Sequence, residues 1–274
     1  MIEEGKIIMS AVKDNPKLLE LIYKDLAQPP VKKVGQALET VFDLSNTILL
    51  PVKLLNEKAR LNFIKHMENY KQKLEDIPED QIKDVAPELG IPIIEKLTYI
   101  TNEEIADLFT TLLVKASCEK TLNQAHPAFV KMIDMLSVDE ARIIRHIKSK
   151  SVIPYITQRI HQKNKSGFLE LYKNMTGLEL QIKLIFPRNI KTYFDNLESL
   201  GVISNITDRY KTDDKEYELL KILYQSTMKQ FETEEHLKEL FNNVEWIRGY
   251  YEITNFGRLF MQACTYVKQQ PKQT

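Results

Sequence analysis

The sequence predicts a mainly α-helical protein, in which an N-terminal helical domain (residues 1–136) is followed by a winged-helix-like α+β domain (residues 137–274). Three observations lead to this fold class. Glycine is sparse, with 8 residues in 274 where average usage gives roughly 19, and this disfavours tight turns. Apolar residues recur at helical spacing throughout the first half, whereas short extended segments enter in the second half. Hydrophobic residues at 43% and charged residues at 28% indicate a globular chain.

Charge changes sign between the two halves. Residues 1–137 carry 17 Lys and Arg against 21 Asp and Glu, and residues 138–274 carry 21 against 17. This change coincides with the change in sequence character and places the domain boundary near Ser137. The whole chain has zero formal net charge, which argues against a protein that coats nucleic acid through bulk positive charge.

The first half is predicted to be helical almost throughout. Apolar spacing predicts a helix around Leu18–Leu26, a second from Val31 through Leu50 with its apolar face at Val34, Leu38, Val41 and Phe42, and a third over Leu54–Leu74 with Leu61, Ile64 and Met67 on the apolar side. Glu75–Pro92 is predicted to be an acidic loop, because three prolines stand among its acidic residues.

Three further helices have recognisable starts. Thr101–Glu104 and Ser137–Glu140 both fit the capping box, in which a hydroxyl and a carboxylate three residues later bind each other's backbone N–H groups. Pro127 predicts the first turn of a helix running to Ile133.

The second half has the element order of a winged helix-turn-helix. The predicted elements are short strands at Ser151–Tyr155 and Phe168–Lys173, helices at Leu178–Phe186 and Asn189–Leu200, a strand at Val202–Ile206, a helix-prone stretch at Asp213–Phe241, a strand at Trp246–Ile253 and a last helix from Thr254. Gly201 is the expected left-handed C-cap of the helix before it. In a winged helix that helix is the recognition element and the two following strands form the wing.

Cysteine usage and hydropathy indicate a cytoplasmic protein. Cys118 and Cys264 lie far apart in apolar patterns, which predicts buried reduced thiols. Met1–Asp14 lacks the pattern of a secretory signal. The apolar run Leu44–Val52 is too short to cross a bilayer as a helix.

Several segments resemble the abortive infection alpha family of bacterial proteins. The most specific is His126-Pro-Ala-Phe-Val-Lys-Met-Ile-Asp-Met-Leu-Ser-Val-Asp-Glu-Ala-Arg142, and the others are Tyr23–Gly35, Leu44–Leu50, Thr101–Phe109 and Tyr251–Phe260. The resemblance covers roughly residues 20–265. It implies a cytoplasmic or membrane-associated role in bacterial defence against phage, and it supplies no catalytic residues.

No pattern in the sequence points to catalysis. The five histidines form no metal-ligand spacing, and His126 is interpreted as capping or packing at a helix start. Gly-rich phosphate loops and the Gly-x-Ser-x-Gly motif are not found. The sequence therefore predicts a protein that is not an enzyme and that needs no cofactor or metal, and it identifies no small-molecule substrate.

Three non-enzymatic interpretations stay open. The first is a membrane-acting effector, in which the segment containing Leu44, Ile48, Leu49 and Leu50 inserts at a membrane interface; the alternative is that these residues form a helical core. The second is DNA binding, for which the candidate contacts are Arg188, Asn189, Lys191, Asn196, Arg209 and Lys211. The third is a protein-interaction module or self-association, with Trp246, Tyr250 and Tyr251 suited to an interface.

Protein interaction is favoured over DNA. The span between the wing strands carries Asp213, Asp214, Glu216 and Glu218, which would repel phosphate. We therefore expect an abortive infection protein without catalysis, whose C-terminal domain senses or docks and whose N-terminal domain delivers the effect, with peripheral contact to the inner membrane left open. The alternative is a winged-helix DNA-binding regulator. The same contact residues serve a partner in the first case and DNA in the second.

Overall fold

A computed structural model describes residues 32–46, 56–163, 167–207, 209–233 and 241–266 of the chain. The chain divides into two compact units, Met1–Ala141 with Leu259–Thr274 and Arg142–Arg258. Helices dominate, and the sheet lies in the C-terminal half, which confirms the coarse fold class. The domain limits at residues 136 and 137 stay a prediction. The predicted helix around Leu18–Leu26 lies outside the described residues.

The first unit is built from helices. Their bounds are Lys32–Asn46 (α1), Glu57–Glu75 (α2), Pro87–Leu97 (α3), Glu103–Ala116 (α4), Ala128–Asp134 (α5) and the beginning of Val138–Ile147 (α6), with 3-10 turns at Glu79–Gln81 and Leu122–Gln124. Phe63, Phe109 and Phe129 are fully buried in the core of this unit. Phe260 also belongs to this unit, and its ring centre lies 5.2 Å from that of Phe129 in an edge-on contact.

Side chains at the helix starts satisfy free backbone N–H groups, as the sequence predicts at two of three positions. The Glu140 carboxylate accepts from Ser137 N–H at 2.6 Å, and Ser137 Oγ accepts from Glu140 N–H at 3.3 Å, which confirms that capping box. His126 Nδ1 accepts from Ala128 N–H at 3.1 Å, so His126 is a cap. The box at Thr101 is wrong, because Asn102 Oδ1 is the acceptor for Glu104 N–H at 3.0 Å.

Two other expectations for the first unit are corrected. Leu61 is 54% exposed, and Phe63 and Tyr70 join Met67 on the buried side of α2 instead. The loop predicted over Glu75–Pro92 ends at Ala86, because Pro87 starts α3 at a position whose N–H is not needed. Pro92 lies inside this helix without ending it.

The second unit combines an antiparallel sheet with helices. Its elements are Val152–Gln162 (β1), Phe168–Met175 (β2), Leu178–Gln181 (α7), the 3-10 turn Pro187–Asn189, Ile190–Ser199 (α8), Ile203–Ile206 (β3), Lys215–Thr233 (α9), Phe241–Ile253 (β4) and the start of Asn255–Cys264 (α10). The strand order is β2-β1-β4-β3, and every pair is antiparallel.

The sheet is larger than a two-stranded wing. β4, expected as a wing strand, lies inside the sheet, where β1 pairs with most of its length and β3 pairs with its last four residues. The strands predicted at Ser151–Tyr155 and Phe168–Lys173 are the beginnings of β1 and β2. The winged-helix interpretation is therefore not confirmed and stays a prediction.

Local signals in the second unit are confirmed in part. Gly201 follows Leu200 at the C-terminal end of α8 and has φ +70°, the left-handed conformation predicted for it there. The helix predicted over Leu178–Phe186 is wrong beyond its first turn, since α7 ends at Gln181. Thr254 Oγ1 accepts from Gly257 N–H at 2.8 Å and so begins α10 at the predicted place.

Candidate binding cleft

Helix α9 has two apolar faces, and only one of them is covered by the sheet. Tyr217 and Leu220 pack on Ile156 and Met175, with Tyr172, Tyr224 and Trp246 at the margin of this cluster. On the second face the side chains of Leu219, Ile222 and Leu223 are 64%, 67% and 43% exposed. Their spacing places them on one side of the helix. This second face is an open apolar surface.

A cleft of about 710 Å³ lies beside this surface, and we call it the α9 cleft. Its other side is formed by the first residues of β1 and by α7. The apolar lining consists of Val152, Ile153, Pro154, Leu178, Leu219, Leu220, Ile222 and Leu223, and the polar lining consists of Lys150, Ser151, Thr176, Gln181, Lys211 and Glu216. A mostly apolar lining with a few polar groups is typical of a ligand site.

Two lysines and one glutamate give the cleft a positive balance. Lys211 Nζ lies 2.8 Å from the Glu216 carboxylate, so these two charges neutralise each other. Lys150 is exposed, and within the described part of the chain no carboxylate is in ion-pair distance of its ammonium. His146 lies four residues before Lys150 in the chain. Its pKa is lowered mainly by burial and further by the charge of Lys150.

The segment that carries Lys211 is fixed to the sheet by Tyr217. The Tyr217 hydroxyl accepts from Lys211 N–H at 3.1 Å and donates to the Gly249 carbonyl at 3.2 Å. Burial raises the pKa of this hydroxyl. Asp213 Oδ1 accepts from Lys215 N–H at 3.1 Å and so begins α9. These hydrogen bonds fix the backbone of Lys211 and the start of α9 relative to the sheet.

Gly177 allows the closest approach between α7 and α9. Its φ is +71°, and a Cβ there would lie 2.9 Å from Leu223 Cδ2 and 3.1 Å from Leu220 Cδ2. Gly177 N–H donates to the Tyr224 hydroxyl at 3.0 Å, and that hydroxyl donates in turn to the Glu179 carboxylate. These contacts hold Leu178 against the apolar wall of the cleft.

A second group of polar side chains lies along β1 and its neighbours, where Tyr155 and Thr157 alternate with the buried Ile156. Tyr155 OH donates to Asn205 Oδ1 at 2.6 Å, and Asn174 Nδ2 donates to Tyr251 OH at 2.8 Å. Burial raises the pKa of Tyr155 to about 12 and that of Tyr251 as well. These neutral hydroxyls connect β1 to β3 and β2 to β4 through side-chain hydrogen bonds.

The contact residues that the sequence predicts fall into two places. Arg188 and Asn189 stand in the 3-10 turn before α8, Lys191 in its first turn and Asn196 further along it; all are exposed except Asn196, which is half-buried. Arg209 is exposed before α9. Of these six residues, only Lys211 lines the α9 cleft. Their roles toward a partner or DNA stay predictions.

The cleft itself was missed by sequence reasoning. The sequence predicts Asp213–Phe241 as a charged, helix-prone stretch and no more than that. A usable signal was present, since Tyr217, Leu220 and Tyr224 form one apolar stripe and Leu219, Ile222 and Leu223 form another. A helix with two such stripes needs more than one covering surface.

Other predicted features can be placed as well. Leu44 is half-buried in α1, and a Cβ at Gly90 would lie 2.7 Å from its Cδ1, so Leu44 packs against α3; Ile48, Leu49 and Leu50 lie outside the described residues. Cys118 and Cys264 are buried free thiols, as predicted. In the described ranges no helix is long and apolar enough to cross a membrane, and no three metal-binding side chains form a cluster.

These features define a class of helix-rich protein in which an antiparallel sheet carries a helix with an open apolar cleft. Within that class, the chain belongs to the abortive infection alpha family, because the model of this family matches residues 56–264. The match confirms the resemblance seen in the sequence and supports an abortive-infection-type role.

Two further comparisons add no functional information. A solved structure of an uncharacterized protein from the hydrocarbon-degrading marine bacterium Alcanivorax borkumensis SK2 is similar over 53% of this chain and 94% of its own, with 18% sequence identity and a TM-score of 0.31. No curated protein matches the chain.

Proposed function

We propose that this protein acts in abortive infection as a non-catalytic docking protein in the cytoplasm, and that its second unit receives the infection signal in the α9 cleft. The observation that carries this proposal is the exposed apolar wall of that cleft. Leu219 and Ile222 are 64% and 67% exposed on a helix whose other apolar face, at Tyr217 and Leu220, packs on the sheet. Because exposed apolar surface is stabilised by being covered, a contiguous patch of this kind favours binding.

The first unit delivers the effect in this proposal, and the segment 44–52 is its candidate membrane contact. Leakage of dye from anionic lipid vesicles tests this step. We expect the activated protein to cause leakage and Leu49→Asp to abolish it, because a carboxylate opposes insertion into the apolar interface. Leakage that is absent under every activating condition would leave Leu49 with a core role.

Phage challenge of a bacterial culture tests the defence role. We expect survival at low phage dose and collapse of the culture at high dose, because infected cells die before they release phage. The double variant Leu219→Glu/Ile222→Glu should lose protection, since two carboxylates in the cleft oppose an apolar contact. Leu61→Glu is the matched control, because Leu61 is 54% exposed on a different helix.

Two outcomes of this challenge contradict the proposal at different points. Failure of the unaltered protein to protect against any phage overturns the defence role. Equal protection by the double variant and by Leu61→Glu overturns the role of the cleft and leaves the defence role in place.

The second candidate function is a winged-helix regulator that binds DNA, favoured by exposed Arg188 and Lys191 at the start of α8. It predicts a salt-dependent mobility shift of duplex DNA that Arg188→Ala and Lys191→Ala weaken. The exposed acidic residues Asp213, Asp214 and Glu218 on the same unit favour a protein or signal over DNA. An unshifted duplex at low salt would exclude this candidate.

A further inference from the structure

We propose that the α9 cleft binds a free single-chain amphipathic anion, a fatty acid or a molecule of the same chemistry. In this arrangement the acyl chain lies along Ile222 and Leu223, and the anionic group meets the ammonium of Lys150. The inference rests on the proposed function for its biological meaning only, because it names the class of signal that the same cleft would receive.

The size and lining of the cleft favour a small apolar molecule. Its volume of about 710 Å³ falls in the range of roughly 300–1,000 Å³ that small-molecule sites occupy. Of the fourteen residues around it, eight are apolar, and they come from β1, α7 and α9. A stable protein partner would use roughly 20–30 residues on each side, which is more than this cleft presents.

The charges around the cleft favour an anion over a cation. Lys150 and Lys211 stand against the single carboxylate of Glu216. Since Lys211 Nζ is 2.8 Å from Glu216, the remaining charge is that of Lys150. Ser151 also lines the cleft next to this lysine in the chain, and a serine hydroxyl can donate a hydrogen bond to a carboxylate. The cleft therefore offers a positive charge for an anionic head and an apolar wall for a chain.

The apolar wall has the geometry of an extended chain site. Leu219, Ile222 and Leu223 follow one side of α9 over more than one helical turn, and Val152 and Pro154 face them from β1 within the same cleft. Gly177 keeps Leu178 close to this wall, because any larger residue would meet Leu220 and Leu223. Leu178 therefore lies beside Leu220 and Leu223 in the lining of the cleft.

Calorimetric titration of the purified full chain tests the inference. Dodecanoate, below its micelle concentration, is the probe, and dodecyltrimethylammonium and dodecanol are the cationic and neutral controls of equal chain length. We expect saturable binding of one dodecanoate per chain, weaker binding of dodecanol and little binding of the cation. Octanoate should bind more weakly than dodecanoate, since less apolar surface is covered.

Variants separate the two parts of the site. Lys150→Gln is expected to raise the Kd for dodecanoate about tenfold and to leave dodecanol binding unchanged, because only the charged hydrogen bond is lost. Ile222→Glu should abolish binding of both probes. Lys148→Gln and Leu61→Glu are the matched controls, since neither residue lines the cleft. All four positions are exposed or half-buried, and circular dichroism verifies that each variant folds.

Three results would overturn the inference: no saturable binding of dodecanoate, equal affinity for the cation, or equal effects of Lys150→Gln and Lys148→Gln. Sedimentation with phosphatidylglycerol vesicles distinguishes a free acyl anion from a lipid surface. Binding to vesicles together with the first result, no binding of monomeric dodecanoate, would assign the cleft to a lipid surface. Because these measurements use purified protein, they can fail while cleft-dependent phage protection holds, and the proposed function then stands with another signal.

Discussion

The ammonium of Lys73 lies 2.6 Å from the Asp107 carboxylate, and the lysine side chain is only 6% exposed. The hydroxyls of Thr110 and Thr111 accept further hydrogen bonds from this ammonium at 2.9 and 2.8 Å. The Asp107 backbone carbonyl also accepts from it at 3.2 Å, so this buried lysine is held by a carboxylate together with neutral acceptors. This arrangement ties α2 to α4 in the core of the first unit.

Removing one partner of this pair is expected to destabilise the protein more than removing both. Asp107→Ala should lower the free energy of unfolding by about 3 kcal/mol, because the Lys73 charge stays buried without its counter-ion. Lys73→Met/Asp107→Leu should recover most of this loss. Urea denaturation followed by circular dichroism measures both. The exposed pair of Lys65 and Glu103 is the control, and Glu103→Gln should leave the unfolding curve nearly unchanged.

The cap of α4 gives a second prediction that separates structure from sequence pattern. Asn102→Ala should cost about 1 kcal/mol of stability, because two N–H groups lose the Asn102 Oδ1 acceptor. Thr101→Ala should change stability by less than about half of that amount. Thermal or urea unfolding of the two variants compares them directly. A larger loss for Thr101→Ala would reinstate the capping box.

Close backbone contact at Gly257 gives a third prediction. A Cβ at this position in the first turn of α10 would lie 2.0 Å from the Val202 carbonyl oxygen, so only glycine fits here. Gly257→Ala should destabilise the protein by about 3 kcal/mol, the upper range for overpacking. At Gly167 a Cβ meets nothing within 4 Å, so Gly167→Ala is the matched control and should fold like the parent. Similar melting temperatures for both variants would contradict the close approach.

His66 gives a prediction about pH. Burial lowers its pKa below the ordinary value of 6.5, although the hydrogen bond between Nε2 and the Ile100 carbonyl at 3.0 Å and the charge of Glu103 oppose this shift. Since the unfolded chain then binds a proton more readily, the free energy of unfolding should fall as pH decreases from about 7 to 5. Nearby Lys65 acts in the same direction as burial.

His66→Gln keeps an N–H donor but does not titrate, so it should flatten this part of the stability profile. Urea unfolding at several pH values measures the slope. Gln72→Ala, at an exposed position of the same helix that carries no titratable group, is the control and should keep the slope of the parent. An unchanged slope in His66→Gln would show that other groups cause the pH dependence.

Local signals in the sequence located helix ends well where the deciding atoms are neighbours in the chain. The Ser137 box, the His126 cap and the left-handed Gly201 are all formed by residues within four positions of one another. Thr101 shows the limit of this reasoning, because Asn102 offers a competing acceptor one residue later. The family resemblance also followed from the sequence, since it depends on residue identities alone.

The sequence by itself therefore determined the helical first half, the mixture of helices and strands in the second half, several helix caps and the family. Tertiary structure decided the sheet order, the burial of Lys73 and the α9 cleft. Each of these depends on residues far apart in the chain, such as Val152 and Leu223, or Tyr155 and Gly249. The period of a helix shows that α9 has two apolar stripes, but only packing against Ile156 and Met175 selects which stripe is buried and which lines a cleft.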